Sequence, residues 1–293
     1  MSYPLQKDCA RELLPRRDEH RAKWQFGRAM LVCGSAAMSG AALLAGTAAL
    51  RSGAGLVQLA SVNEVIAAAR MVLPEALLLP LARQTEAIPG AIHKDEAWII
   101  LTQAQKAQSL LFGPGISITD HGRKLLRWLV QEYKGALVLD ADGLNLLSEE
   151  TALLYKVSGR CVLTPHIGEF CRLSGLTRQQ AEADPQGAAM AFAKQYGCVV
   201  ALKGASTYVT DGQRCYILHG PNSGMAKGGS GDVLAGLCTG LCAQRPERLL
   251  ENAALAVWLH SRAGQLARDA HGPFAMLPRD VAERLGQAFG ELA

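Results

Sequence analysis

Short apolar runs alternate with helical segments from about residue 29 onward, and this alternation constrains the fold more than any other feature. Helices are predicted near residues 39–51, 119–133 and 185–196. Alternation of this kind is typical of a parallel sheet with helices on both faces. The sequence therefore predicts an α/β fold. The runs predicted as strands are AMLVCG, GLVQLA, ALLLPL, AWIILT, SLLFG, GALVLD, CVLT and CVVALK.

The segment 198–218 has a different pattern, because CVVALK, STYVT and CYILH follow one another with only short turns between them. We predict antiparallel hairpin strands at one side of the sheet. Helices are then predicted near 230–243, 248–269 and 278–291. No repeat, linker or shift in composition divides the chain, so residues 1–293 are expected to form a single domain.

The composition argues against nucleic acid as a partner. Aromatic residues make up only 5% of the chain, and the net charge is +4, so there is no basic aromatic platform on which bases could stack. Part of the positive charge lies in the first thirty residues. This basic arm is either a solvated surface or a source of attraction for a phosphate-rich ligand. Its basic residues are Lys7, Arg11, Arg16, Arg17, Arg21, Lys23 and Arg28.

The expected location is the cytoplasm. The eight cysteines form no CxxC pair, which fits free thiols in a reducing compartment. Residues 1–20 are charged and contain no apolar run of the length found in secretory signals. The apolar runs at 41–50 and 233–242 fall well short of the roughly 20 residues of a membrane span. We therefore expect no membrane association.

The strongest local signal is NSGMAKGGSGDVLAGLCTGL, residues 222–241, where a glycine-rich turn leads into an apolar helix. Free backbone N–H groups at a helix N-terminus bind phosphate. Asp232 lies in the first turn of this predicted helix and could accept a proton from an attacking hydroxyl. It could instead be only a favourable acid at the N-terminus. The apolar helix must be buried, which favours a ligand site.

A second segment, residues 34–60, contains a helix of small residues after the strand AMLVC. Small side chains at Gly40, Ala41 and Ala45 would let this helix lie close to the sheet or to a ligand. Close packing alone accounts for most of them. The turn GSAAMSG lacks the spacing of the GxGxxG motif, so an NAD-binding dehydrogenase is not supported.

Polar residues follow three predicted strands, in GPG at 113–115, DADGLN at 140–145 and TPHIGEF at 164–170. Ligands of open α/β folds bind at the carboxyl ends of the strands. Asp140 and Asp142 could hold magnesium through water or cap the next helix. His166 is either a structural histidine or a substrate contact.

Lys203 ends another predicted strand and begins the segment KGAST. Its ammonium and the hydroxyls of Ser206 and Thr207 are expected at the same edge of the sheet. Together with the glycine turn, this lysine suggests a nucleotide-binding site.

These segments, in this order, resemble the ADP-dependent NAD(P)H-hydrate dehydratase family of the ribokinase-like superfamily. The resemblance covers about residues 24–270. It implies a three-layer fold and an enzyme that dehydrates the (6S) hydrates NADHX and NADPHX to NADH and NADPH. The nucleotide, ADP or ATP with Mg²⁺, would phosphorylate the ring hydroxyl before phosphate leaves.

The resemblance also implies roles for individual residues. Asp232 corresponds to the base and contacts the substrate, together with Ala41, Gly115 and His166. The nucleotide contacts correspond to Lys203, Gly204, Ala205, Ser206, Thr207 and Gly231.

Three departures from the family pattern stand out. The epimerase domain often fused to family members is not expected in a chain of this length, so a separate epimerase is a candidate partner. HIGEF replaces the usual HPGEF, with Ile167 in place of proline. Lys227 stands where a small residue is more usual, and could contact phosphate or point to solvent.

Two rival functions share these motifs: a ribokinase-fold kinase for a vitamin precursor such as hydroxyethylthiazole, and a non-catalytic nucleotide sensor. The combination of KGAST, TPHIGEF and the small-residue helix disfavours the first. The intact Asp232 and glycines disfavour the second. A homo-oligomer, for example a tetramer, is expected. The sequence leaves the preferred donor, the preferred hydrate and the metal ligands open.

Overall fold

The strands of this protein form one sheet in the computed structural model, which describes residues 1–82 and 91–293. The sheet has ten strands. In chain order they are β1 (Ser2–Pro4), β2 (Arg28–Val32), β3 (Leu56–Val62), β4 (Leu77–Leu81), β5 (Ser109–Phe112), β6 (Ala136–Leu139), β7 (Cys161–Leu163), β8 (Val199–Leu202), β9 (Ser206–Thr210) and β10 (Cys215–His219).

The strand order is β1-β10-β9-β8-β7-β6-β5-β2-β3-β4. All neighbours from β8 to β4 are parallel, and β9 is antiparallel to both β8 and β10. This confirms the predicted parallel sheet and the hairpin strands at one side of it. The edge strand β1 was not predicted. It is three residues long and pairs with β10, where Ser2 lies opposite Cys215, so no local pattern marks it.

Twelve α-helices occur in the described residues. They are α1 (Lys7–Leu13), α2 (Ser39–Leu50), α3 (Asn63–Val72), α4 (Ala97–Ala104), α5 (Asp120–Glu132), α6 (Asp142–Ser148), α7 (Ile167–Ser174), α8 (Arg178–Ala183), α9 (Pro185–Tyr196), α10 (Ser230–Gln244), α11 (Leu249–Ala275) and α12 (Pro278–Gly290).

One predicted strand, AWIILT, is wrong, because these residues belong to helix α4. The buried residues of α4 are Ala97, Ile100 and Ala104, which have helical spacing, whereas Trp98 is largely exposed. A short apolar run cannot be assigned to a helix or a strand by periodicity alone.

Helices cover the sheet on both faces. Every residue of β8 is buried, and both α9 and α11 pack against it. A strand buried along its whole length requires a covering layer on each face. The fold therefore has three layers, with α2, α10 and α11 among the helices that contact the sheet.

Helix α10 is buried on nearly every side, as its apolar sequence predicted. It packs against α2, α11 and the strands β2, β5 and β6. A Cβ at Gly236 would lie 2.0 Å from the backbone oxygen of Ala45 in α2. Gly236 therefore lets α10 lie directly against the backbone of α2, and α10 also packs on the sheet.

The basic N-terminal arm lies against the body of the protein. Helix α1 packs on α11, Arg11 Nε donates to the backbone oxygen of Leu292, and Arg17 donates to that of Gly53. Among the described residues, no helix combines the length and the apolar character that crossing a bilayer requires.

Candidate active site

A cavity of about 740 Å³ lies at the carboxyl ends of β6, β7 and β8. Its volume is in the range of small-molecule sites. The residues that follow these three strands line it, and so does the turn before α10. Helix α11 contributes as well, and the lining residues include Asp140, His166, Glu169, Lys203, Gly204, Ala205, Thr207, Gly228, Gly229, Gly231, Asp232, Val257 and His260.

The glycine turn presents backbone N–H groups to this cavity. Gly229 is the N-cap of α10, with φ of 101°, a conformation that favours glycine. The N–H groups of Gly228, Gly229 and Gly231 have no acceptor in the part of the chain that the structure describes. Asp232 is the third residue of the helix. Free N–H groups and the helix dipole together favour an anion beside Asp232.

Lys203 forms an ion pair with Asp140 at the floor of the site. Lys203 Nζ lies 2.9 Å from Asp140 Oδ1, which also accepts a hydrogen bond of 2.8 Å from the Thr164 hydroxyl. Burial would lower the pKa of Lys203, but the carboxylates of Asp140, Glu169 and Asp232 outweigh it and raise that pKa. The ammonium therefore stays charged among three acids.

Gly231 lies directly against this ion pair. A Cβ at Gly231 would lie 3.2 Å from Lys203 Nζ and 3.7 Å from Asp140 Oδ2. Any side chain here would press on an ammonium that Asp140 holds in place. The glycine therefore makes room for the ion pair as well as for a ligand.

Asp232 has a strongly perturbed carboxyl group. Burial raises its pKa to about 7, and the negative charges of Asp140, Asp142 and Glu169 act in the same direction. Lys203 opposes this shift. A carboxylate with a pKa near neutrality is suited to accept a proton during a reaction at neutral pH.

His166 lies at the start of α7 and lines the cavity. Its Nδ1 accepts hydrogen bonds from the N–H groups of Gly168 and Glu169, and Glu169 Oε2 accepts one from His166 N. Ile167 is the first residue of the helix, a position at which proline is also common. The replacement of proline in HIGEF is therefore compatible with this cap. About half of the His166 side chain stays exposed.

The segment after β8 is only partly directed into the cavity. Gly204, Ala205 and Thr207 line it. The hydroxyl of Ser206 instead lies 2.8 Å from His219 Nδ1 on the neighbouring strand β10, because alternate residues of a strand face opposite sides. Of the two hydroxyl residues predicted at this edge of the sheet, only Thr207 lines the cavity.

Ala41 and Gly115 come together at the start of α2. A Cβ at Gly115 would lie 3.0 Å from the Cβ of Ala41, and the φ of Gly115 is 67°. Neither residue lines the cavity around Asp232. They lie beyond the ends of β2 and β5, of which β5 is the neighbour of β6 and β2 lies next to β5.

Asp140 and Asp142 differ in their surroundings. Asp142 is the first residue of α6, and its Oδ2 accepts a hydrogen bond from Ser117 N. Asp140 is 1% exposed and bound to Lys203. The described ranges contain no group of three or more His, Cys, Asp or Glu side chains arranged to hold a metal ion.

Two cavity residues were not identified from the sequence. Glu169 is 6% exposed, and its position three residues after His166 is the signal of a capping box. His260 lies in the middle of α11, where nothing local marks it. Its Nε2 is buried without a partner among the described residues, and burial lowers its pKa to about 4. The imidazole is therefore neutral at pH 7.

Comparison with known proteins identifies the family. A sequence model of the NAD(P)H-hydrate dehydratase family matches residues 29–287. A bifunctional NAD(P)H-hydrate repair enzyme of Moorella thermoacetica is 37% identical over 94% of this chain and 51% of its own length. An ADP-dependent (S)-NAD(P)H-hydrate dehydratase of Xanthomonas campestris is 36% identical over 88% of this chain and 86% of its own. The chain spans about half the length of the bifunctional relatives.

Solved structures show the same fold. A ribokinase-like superfamily protein of Enterococcus faecalis has a TM-score of 0.85 and 26% identity, covering 100% of this chain and 96% of its own. The ADP/ATP-dependent NAD(P)H-hydrate dehydratase of Bacillus subtilis, co-crystallised with ATP and Mg²⁺, has a TM-score of 0.81 and 28% identity, covering 99% and 98%. The chain therefore belongs to the NAD(P)H-hydrate dehydratase family and has a ribokinase-like fold.

Proposed function

We propose that this protein uses a nucleotide, ADP or ATP, to dehydrate the (6S) hydrates of NADH and NADPH. The observation that carries this proposal is Asp232, a carboxyl group with a pKa of about 7 beside the unpaired N–H groups of the glycine turn. A base and an anion site next to each other suit transfer of a phosphoryl group to a hydroxyl. The family and the names of the relatives supply the substrate class.

In the first step, Asp232 accepts the proton of the ring hydroxyl while the hydroxyl oxygen attacks the terminal phosphorus of the nucleotide. A new O–P bond forms as the bond to the leaving nucleotide breaks, so ADP becomes AMP. The N–H groups of the turn before α10 stabilise the negative charge on the transferred group. The ammonium of Lys203 adds a positive charge on the side of Gly231.

In the second step, phosphate leaves with the electron pair of its bond to the ring carbon, and the adjacent ring carbon loses a proton. The double bond of the dihydronicotinamide returns. Hydroxide is a poor leaving group and phosphate a good one, which is why the first step makes the second easy. Over both steps the hydrate and ADP become the reduced dinucleotide, AMP and phosphate.

The residues that we assign to the nucleotide are Gly231 and the segment Lys203, Gly204, Ala205, Ser206 and Thr207. All of these except Ser206 line the cavity, and Leu218 and Val257 give it an apolar part suited to a base. Ala41, Gly115 and His166 are assigned to the hydrate. His166 lines the cavity, and the other two lie together beyond the ends of β2 and β5.

Magnesium fits this site as an ion that enters with the nucleotide. Bound there, Mg²⁺ would neutralise charge on the phosphate oxygens. Asp140 is the carboxylate best placed to assist, because its Oδ2 faces Gly231 while its Oδ1 holds Lys203. The phosphates would supply the remaining oxygen ligands.

The test is a coupled assay with purified protein, Mg²⁺ and the (6S) hydrate of NADH, run side by side with ADP and with ATP. We expect the absorbance of reduced nicotinamide to return and AMP to appear in the ADP reaction. A parallel assay with hydroxyethylthiazole examines the rival kinase function. No recovery of absorbance with either nucleotide would contradict the proposed function.

We further propose that an epimerase cooperates with this chain by converting the other epimer of the hydrate. The support is that the chain matches about half of relatives named bifunctional repair enzymes. Adding a purified epimerase to an epimeric mixture should raise the final yield of NADH from about half to nearly all. An unchanged yield would argue against this partner.

We also propose a homo-oligomer that acts in a reducing compartment such as the cytoplasm. Exposed apolar side chains near the β4 edge, Met71, Val72 and Leu77, could be covered by another copy. All eight cysteines are free thiols, six of them buried, as expected where thiols stay reduced. Light scattering of the purified protein measures the assembly state.

A further inference from the structure

Lys227 lies at the start of the glycine turn and lines the same cavity as Asp232. Its Nζ donates hydrogen bonds of 2.7 Å to the backbone oxygens of Phe274 and Met276. The side chain therefore neither points to solvent nor lies free. It ties the turn before α10 to the segment that ends α11.

The two carbonyl groups that Lys227 binds lie at the end of α11. Gly272 has a φ of 75° and interrupts the last turn of α11, which leaves carbonyl groups without helical partners. Met276 is fully buried, and a Cβ at Gly224 would come within 2.2 Å of its sulfur. Lys227 thus anchors the glycine turn on the segment that leads into the buried Met276.

The charge of Lys227 is not neutralised by this anchoring. Its partners are neutral carbonyl groups, and it forms no ion pair with a carboxylate among residues 1–82 and 91–293. Lys203, the other lysine of the cavity, is paired with Asp140. Lys227 directly precedes Gly228 and Gly229 in the chain and lines the same cavity, so its positive charge adds to the attraction of their free N–H groups for an anion.

We propose that Lys227 is a positioning residue for the terminal phosphate of the donor nucleotide. Its anchor holds the N–H groups of Gly228 and Gly229 in place, and its charge favours the phosphate that they bind. The inference rests on the proposed function in assigning this turn to the transferred phosphate. It predicts that Lys227 raises the affinity for ADP more than the affinity for AMP, because AMP lacks that phosphate.

The experiment is calorimetric titration of Lys227→Met with ADP and with AMP, both without the hydrated substrate. We expect the affinity for ADP to fall about tenfold, as for one charge-assisted contact, and that for AMP to change less than about threefold. Lys227→Arg keeps the charge and should stay within about threefold of the natural protein for both ligands. In the dehydration assay, kcat/KM for ADP should fall in parallel with the ADP affinity.

The matched control is Lys134→Met, which removes an exposed lysine just after α5 whose one hydrogen bond within the described ranges goes to the Gln131 carbonyl. It should bind both ligands normally. Equal losses for ADP and AMP in Lys227→Met, with a lowered Tm, would show a purely structural role and overturn the proposal. So would an unchanged affinity for ADP. If the natural protein binds ADP as described but does not dehydrate the hydrate, the proposed function fails while the inference on Lys227 stands.

Discussion

The ammonium of Lys203 lies 2.9 Å from Asp140 Oδ1 and 3.2 Å from where a Cβ at Gly231 would be. Three segments far apart in the chain thus meet beside the first turn of α10, which contains Asp232. The negative charge of Asp140 raises the pKa of Asp232, and the positive charge of Lys203 lowers it. Burial contributes most to the raised pKa of Asp232, and the two charges of the ion pair adjust it in opposite directions.

The first prediction concerns pH. Asp232 must be deprotonated to act as a base, and its pKa is raised by burial to about 7. The value of kcat/KM should therefore be at its plateau above pH 8 and fall about tenfold per pH unit well below pH 7. Initial rates between pH 5 and pH 9 measure this profile. A plateau extending to pH 5 would show that no group with this pKa limits the reaction.

Asp140→Asn should move the acid limb of that profile to lower pH. The substitution removes a negative charge that raises the pKa of Asp232, and it leaves Lys203 to interact more strongly with Asp232. It should also destabilise the fold by roughly 3 kcal/mol, because a buried ammonium loses its partner. The pH profile and chemical denaturation measure the two effects.

The control for this variant is Asp120→Asn, which changes an exposed carboxylate paired with Arg123. Surface pairs contribute little, so both the profile and the stability should stay nearly unchanged. An acid limb that stays in place, or moves to higher pH, in Asp140→Asn would contradict the electrostatic coupling.

Asp232→Asn should lower kcat by roughly 10²- to 10⁴-fold, the usual contribution of a general base. Affinity for ADP should be kept or improved, since a negative charge beside the phosphate is removed. Rapid-quench kinetics measures the change in kcat, and calorimetric titration measures the affinity for ADP. Asp269→Asn, an exposed aspartate of α11, serves as the control. A nearly full rate in Asp232→Asn would remove this residue from the role of base.

Asp232→Asn should also alter the pH dependence of the protein's stability. The pKa of Asp232 is about 7 in the folded protein and near 3.9 in the unfolded chain. The folded state therefore binds more protons between these values, and the natural protein loses stability as the pH rises through this range. The Tm of Asp232→Asn relative to the natural protein should consequently increase from pH 4 to pH 8. A constant difference would contradict the raised pKa.

Gly231→Ala should weaken both ADP binding and turnover by about tenfold or more. The added Cβ would lie 3.2 Å from Lys203 Nζ, so it would displace the ammonium that pairs with Asp140 and would narrow the space beside the glycine turn. Gly286→Ala is the matched control, because a Cβ there meets nothing within 4 Å. Because Gly286 lies inside α12, its replacement by alanine should leave the stability of the protein unchanged or raise it slightly. Equal behaviour of the two variants in the ADP titration would contradict the assigned role of Gly231.

Much of the fold could be predicted from the sequence, because the responsible interactions are local or depend on a simple pattern. Alternating apolar runs and helical segments predict a parallel sheet, and the antiparallel strands β9 and β10 follow from the short turns between them. The turn before Asp232 was identified because glycine, a following apolar helix and an acid occur together. Helix α4 was missed because an apolar run of six residues suits a strand as well as a helix.

The sequence by itself thus determined the layered fold, the family, and Asp232 as the candidate base. Only the tertiary structure decided which groups act on one another. Lys203 pairs with Asp140 across 63 residues of chain, Ser206 turns to His219, and Lys227 reaches the carbonyls of Phe274 and Met276. Such contacts depend on the order of strands and on the packing of α10. The pKa of Asp232 depends on them as well, since burial and neighbouring charges exist only in the folded protein.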